Sequence, residues 1–302
     1  MTDARPTWLA WHKDAGHWAA GVAIQNPGQV SPWIARWVPR VLEPLVRACH
    51  RPTLTGVENL PSNGAFLLVA NHSAGLGIAE IHTFLVLYLR QIGAARPMAG
   101  FALPLGFRVF PLSKLMPALG AIPSTYEAAR QTLAAGVPIL VFPGGDYETL
   151  RPIWQANRVD FGGRKGFLRI ARDAGVPIVP LGIRGSHMTA PVLVRSRWLA
   201  TALVLPRLIG QKRWGLSLLG VLVAAAIAAW VPASWPVRAL LIWLWFSSAL
   251  VFLPWIPWTI RMRIGPAIPA AELFPGGESG GDDELRRALS RVQSAVQTLV
   301  DR

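Results

Sequence analysis

The sequence predicts an α/β fold: a mixed, largely parallel sheet flanked by helices, with an inserted hydrophobic helical hairpin. Three observations carry that expectation. Short apolar runs at 65–70, 139–142 and 178–182 have the length and composition of strands buried on both faces. Helical stretches at 78–92, 124–135 and 164–174 alternate with them, the order expected of a parallel sheet. Two long uncharged runs then interrupt the pattern before a last strand and helix.

Composition narrows the class of protein. Of 302 residues, 52% are hydrophobic and only 15% are charged, where a soluble domain has nearer a quarter charged. Fourteen tryptophans point to a membrane–water interface. The net charge is +14, and only Lys13, Lys114, Lys165 and Lys212 among the thirty basic residues are lysine. The arginines are scattered and the tryptophans lie among aliphatics, which disfavours nucleic acid and favours anionic lipid headgroups. A single cysteine, Cys49, excludes an intramolecular disulfide and a thiolate metal cluster. The first twenty residues lack a basic start followed by an apolar run, so no cleaved signal peptide is expected. The expected location is the cytoplasmic membrane, with the catalytic part facing the cytoplasm.

Taken in order, residues 1–30 carry His12 and His17 but no assignable element; two histidines without a cluster of acidic or thiol partners are a weak metal signal. Residues 31–50 place Trp33, Ile34, Trp37, Val38, Val41, Leu42, Leu45, Val46 and Cys49 at three- and four-residue spacing, a helix face. That face either lies in the membrane interface or packs on the domain. A strand-like segment at 53–57 leads through a turn at 62–64 into the strand ending at Ala70. Later, 215–231 is 17 residues without charge and 239–260 is 22, joined by a Pro232–Pro236 turn. About 20 apolar residues span a bilayer and about 17 is near the lower limit. A hairpin of transmembrane helices is expected, or one dipping into a single leaflet, with Lys212, Arg213, Arg261 and Arg263 holding both outer ends in the cytoplasm. A strand at 259–264, a flexible joint at 276–281 and a helix capped by Asp282 close the chain. The expected divisions are 1–50, an N-terminal segment with an interfacial helix; 51–197, the core; 198–260, the hairpin; and 261–302, which returns to the core.

The chemistry gathers at strand ends, where ligands of open α/β sheets bind. His72 follows a buried strand, and a neutral imidazole there can take a hydroxyl proton near pH 7. The run Phe142-Pro143-Gly144-Gly145-Asp146-Tyr147-Glu148 places paired glycines at the next strand exit, where backbone N–H groups can approach a ligand. Gly185-Ser186-His187 offers a serine without the Gly-x-Ser-x-Gly elbow of hydrolases.

These pieces, in this order, resemble the glycerolipid acyltransferase superfamily, which includes the lysophosphatidic acid acyltransferases. Residues 54–61 are similar to its Gly-x-Glu-Asn-Leu-Pro approach, Asn71-His72 to its Asn-His block, and 119–123 to its second block. Phe142-Pro143-Gly144-Gly145 resembles its Phe-Pro-Glu-Gly block; 165–171 with 176–180 resemble the fourth, and 263–266 the closing strand. The resemblance implies acyl transfer from acyl-CoA or acyl carrier protein to a lipid hydroxyl, with His72 as base and no cofactor or metal.

The departures matter as much. The family's aspartate five residues after the histidine is Gly77 here, its block-three glutamate is Gly144, and its arginines fall at Ser124 and Tyr147. Glu148 is then expected to partner His72. Glu80 lies eight residues on, about 12 Å along a straight helix, and could serve only if 75–77 fold the helix start back. Asp146 is a further rival, and Asn71, Gly144, Gly145, Asp146 and Arg151 are candidate substrate-binding residues. Loss of the phosphate-gripping arginines points to a neutral acceptor, and Pro-Gly-Gly-x-x-Glu resembles the diacylglycerol-acylating branch. The alternatives are a lysophospholipid or glycerol-phosphate acceptor and a non-catalytic membrane lipid-binding protein. The expected partners are membrane lipids and the thioester donor.

Overall fold

The computed structural model describes residue 24 and residues 26–277 and 280–302. The expected N-terminal segment before residue 24 and part of the 276–281 joint lie outside the described residues.

A seven-stranded sheet forms the centre. Its strands are β1 (Thr53–Thr55), β2 (Leu67–Ala70), β3 (Ala99–Ala102), β4 (Ala121–Pro123), β5 (Ile139–Val141), β6 (Ile178–Arg184) and β9 (Arg261–Ile264), in the order β1-β9-β6-β2-β5-β3-β4. Every pair is parallel except β6 with β9. The sheet is thus mixed and largely parallel, as the alternation of elements predicts. The central strands are apolar because both faces are covered. One face carries Val69, Ile139, Phe167, Leu168, Val292 and Val296 against the helices Gly166–Asp173 and Asp282–Asp301. The other carries Phe66, Leu68 and Leu181 against Phe84 and Leu87 of the helix Ala74–Gln91.

Two strands form a separate antiparallel ribbon, β7 (Val192–Ser196) and β8 (Trp214–Ser217). Ser217 accepts from the Gly220 N–H at 2.9 Å and so starts the helix Leu218–Trp230. The helix Trp235–Ser247 follows and packs on it. Fully buried Trp214 anchors the ribbon to this pair, its indole donating to the Phe246 carbonyl at 2.7 Å.

The expectation of transmembrane helices is corrected here. Gly215–Ser217 is used in β8, and the run 239–260 leaves its helix at Ser247, well before Pro254 and Pro257. Each helix has 13 residues, about 20 Å of rise against a hydrocarbon core of about 30 Å. Among the described residues no helix is long and apolar enough to cross a membrane.

The helix expected at 31–50 forms as Pro32–Trp37, a wider π turn Val38–Leu42, and Glu43–His50. It turns both ways: Ile34 and Val46 are buried, while Trp33, Trp37, Val41 and Leu45 stand exposed as an i, i+4 stripe. Asp282 is not the cap of the last helix. Gly281 holds that position, and the Asp282 carboxylate accepts from Lys165 Nζ instead.

Candidate active site

Three adjacent parallel strands, β5, β2 and β6, end side by side, and each supplies part of one site. His72 follows β2, the Phe142–Glu148 turn follows β5, and Gly185–Met188 follows β6. Asn71 locks the edge. Its side chain donates to the Ile183 carbonyl at 2.8 Å and accepts the Ile183 N–H at 2.7 Å. Buried and doubly engaged, Asn71 holds β2 to β6.

The imidazole of His72 stacks on the Phe142 ring with centroids 4.3 Å apart. Its Nδ1 donates to Glu80 Oε1. The same carboxylate accepts the Ser73 N–H at 2.9 Å and the Ser73 hydroxyl at 2.7 Å. Glu80 is fully buried, so these bonds supply the compensation a buried carboxylate needs. The expectation that Glu148 holds the imidazole is therefore corrected in favour of Glu80. The straight-helix distance does not apply because His72 precedes the helix and its first turn is bent. Gly75 and Gly77 have φ of +67° and +72°, a region that favours glycine. A Cβ on Gly77 would sit 2.0 Å from His72 Cε1. The ring lies over that glycine and reaches the carboxylate one turn further on.

Glu148 takes a different post. Its Oε2 accepts the backbone N–H of His72 at 3.0 Å and its Oε1 the Asp160 N–H at 2.9 Å. Burial pushes its carboxyl up to about 8, against the opposing pull of those two donors and of Arg151. A Cβ on Gly144 would lie 2.2 Å from Glu148 Oε2. The same rule thus operates twice: where a glycine replaces the acid of the family pattern, an acid one turn later fills the space.

The other candidates spread out. Arg151 is 2% exposed, 3.5 Å from Glu148 Oε1 and donating to the Asp160 carbonyl, so it supports the turn from beneath. Asp146 pairs with Arg164 and Arg213, away from the imidazole. Gly145 donates its N–H to Phe142 O at 3.2 Å, and Gly144 O accepts from Arg164 at 2.7 Å. Two residues were missed by sequence reasoning as site members. Ser73, next to the histidine, shares a hydrogen bond with Ser186 Oγ. His187 is buried beside them with Nε2 unpartnered, its imidazole pushed down to about 3 by burial and by the charges of Arg151 and His72. The signals were the neighbours of His72 and the Gly185-Ser186-His187 triplet, which points inward once β6 lies beside β2.

A histidine held through Nδ1 by a buried carboxylate, at the carboxyl edge of a parallel sheet, is an arrangement capable of general-base chemistry. Sequence comparison shows what the segment that holds this arrangement is similar to. Residues 51–184 match the family described as Acyltransferase. A Mycobacterium tuberculosis protein described as uncharacterized is 29% identical over 170 residues, 55% of this chain and 47% of that protein. A Bos taurus protein described as a DGAT1/2-independent enzyme synthesizing storage lipids is 29% identical over 132 residues, 44% of this chain and 38% of that protein. The crystal structure of the 1-acyl-sn-glycerophosphate acyltransferase of Thermotoga maritima aligns over 89% of this chain and 82% of its own, at 18% identity and a TM-score of 0.49. The chain spans about half the length of the mycobacterial relatives it matches. The segment similar to the Acyltransferase family, residues 51–184, is less than half of the chain and holds His72, Glu80 and Glu148.

Proposed function

We propose that this chain transfers a fatty acyl group from an acyl-CoA or acyl carrier protein thioester to a lipid hydroxyl, at a membrane surface. The His72–Glu80 pair carries the reading. With Nδ1 donating to Glu80, Nε2 takes the proton of the acceptor hydroxyl as its oxygen attacks the thioester carbon. Glu80 stabilises the imidazolium that results. The tetrahedral intermediate collapses with loss of the thiolate, to which the imidazolium returns the proton. Gly145 uses its N–H within its own turn, so the Gly144 N–H is our candidate oxyanion donor.

The acceptor we favour is a neutral lipid or glycerolipid, because Ser124 and Tyr147 stand where the family places arginine. A phosphate-bearing acceptor is the second reading, and one observation favours it. Arg164, Arg195 and Arg213 gather at Asp146 and Tyr147, with Arg195 and Arg213 over the Tyr147 ring at 4.3 and 5.2 Å.

Membrane attachment is proposed as monotopic. The Trp33–Leu45 stripe and the exposed Trp230, Trp235, Leu240 and Leu244 of the paired helices form apolar surfaces suited to one leaflet. The test of function uses labelled acyl-CoA with diacylglycerol, a long-chain alcohol, lysophosphatidic acid and lysophosphatidylcholine in turn. Product that disappears in His72→Ala supports the mechanism, and the productive acceptor fixes the branch. Turnover that survives in folded His72→Ala removes the histidine from this role. Folded protein inert with every acceptor and with both donors favours a lipid-binding role without catalysis.

A further inference from the structure

A second site opens on the far side of the Gly185–Met188 turn. Arg51, Arg184 and Arg261 line a cavity of about 410 Å³, together with Asn157, Met188 and Trp258. The strand pairing brings the arginines together. Arg184 ends β6 and pairs in register with Arg261, the first residue of β9. Arg51 comes two residues before Thr53, which is the register partner of Arg261 on the other side. Three neighbouring segments of chain therefore each deliver one guanidinium to the same edge.

Among the described residues no carboxylate lines this cavity. Arg184 is steadied by the Val300 and Asp301 carbonyls at 2.9 and 3.1 Å. The guanidinium groups of Arg51 and Arg261 make no hydrogen bond or ion pair among the described residues, and both side chains are exposed. Three like charges around one concavity repel one another, and an anion bound between them reverses the sign of that interaction. Guanidinium forks suit phosphate oxygens in particular. Trp258 and Met188 give the cavity an apolar rim, and the exposed Trp255 and Leu253 lie just before Trp258 in the chain.

We infer that this cavity binds a phosphate group carried on a larger apolar or aromatic molecule. Two sources share that chemistry: the headgroup of an anionic phospholipid and the phosphates of coenzyme A. The site lies outside the motif positions of the acyltransferase blocks. Its binding is measured without turnover, so its failure and the failure of the acyl-transfer reading are distinguishable.

The experiment uses the full chain in neutral detergent or in nanodiscs. Tryptophan fluorescence and calorimetry follow titration with coenzyme A and with inorganic pyrophosphate, and surface capture compares phosphatidylglycerol with phosphatidylcholine discs. Saturable binding is expected for coenzyme A or for phosphatidylglycerol discs. The double variant Arg51→Gln/Arg261→Gln weakens it by about tenfold or more, and His72→Ala leaves it unchanged. Coenzyme A binding without a lipid preference identifies the nucleotide donor; a phosphatidylglycerol preference without coenzyme A binding identifies the headgroup. The melting temperature of the variant reports its fold, and Arg261→Gln alone replaces it if the pair unfolds. Absence of binding to all these ligands, or binding unaltered by the folded variant, overturns the inference.

Discussion

Glu80 reaches His72 because the histidine stands outside the helix and two left-handed glycines turn the chain between them. Glu80→Gln keeps the size of the side chain and removes its charge. It is expected to lower kcat by about 10²–10⁴-fold with KM little changed, since the imidazolium loses its stabilising partner. Equal loss through KM alone would contradict that role. Gly77→Ala tests the geometry of the same pair. Its Cβ would meet the imidazole, whereas at Gly64, of similar φ, nothing lies within 4 Å. Both substitutions carry the left-handed penalty of about 1–2 kcal/mol, but only Gly77→Ala is expected to abolish turnover in the folded protein. Glu148 gives a pH signature. Its folded value near 8 lies above the ordinary carboxylate value of 4.5, so its contribution to stability is full below about 4.5 and lost as pH rises through about 8. Thermal melts of wild type are expected to fall in that window relative to Glu148→Gln, whose amide does not ionise. Parallel pH profiles of the two proteins would show that Glu148 does not titrate there.

At the level of elements, apolar runs were legible wherever burial alone decides the structure. β2, β5 and β6 lie where continuous Leu, Val and Ile predict them, because both faces of those strands are covered. The strands β3 and β4, at one end of the sheet, were not identified, since Ala99-Gly100-Phe101-Ala102 and Ala121-Ile122-Pro123 carry too little apolar pattern to separate them from loop. The position of His72 at a strand end was legible from its place after β2. Its partner was not, because helix periodicity presumes ordinary φ, which Gly75 and Gly77 violate. The paired apolar helices were overestimated in length for a related reason. Hydropathy does not register that Gly215–Ser217 pairs with β7 or that the second run ends its helix at Ser247. The helix at 31–50 resolves into a buried and an exposed side, and the exposed side is testable. Trp33→Glu/Trp37→Glu places charge on the stripe while leaving Ile34 and Val46 in the core. Reduced flotation on phosphatidylcholine vesicles with an unchanged melting temperature is expected; flotation on them at the wild-type level would assign the stripe to another partner.

On the proposed attachment to a membrane, two attractions act over the whole molecule and respond differently to salt. The net charge of +14 favours anionic lipid at a distance, but it is screened: the Debye length falls from about 10 Å at 0.1 M to about 3 Å at 1 M. The exposed tryptophans and leucines of the two apolar surfaces act only on contact and are not weakened by screening. Salting out strengthens them if anything. Among the described residues the two 13-residue apolar helices are too short to cross a bilayer, so the attachment proposed for them is an equilibrium in which both terms register. Flotation on vesicles containing phosphatidylglycerol is therefore expected to drop as salt rises and then level off above zero. On pure phosphatidylcholine it is expected to vary little with salt. The plateau belongs to the apolar contacts and falls in Trp33→Glu/Trp37→Glu, while the salt-dependent part persists in that variant. Complete release from both vesicles at 1 M salt would mean that charge alone holds the protein to the surface, and the apolar faces would then need a protein partner to cover them.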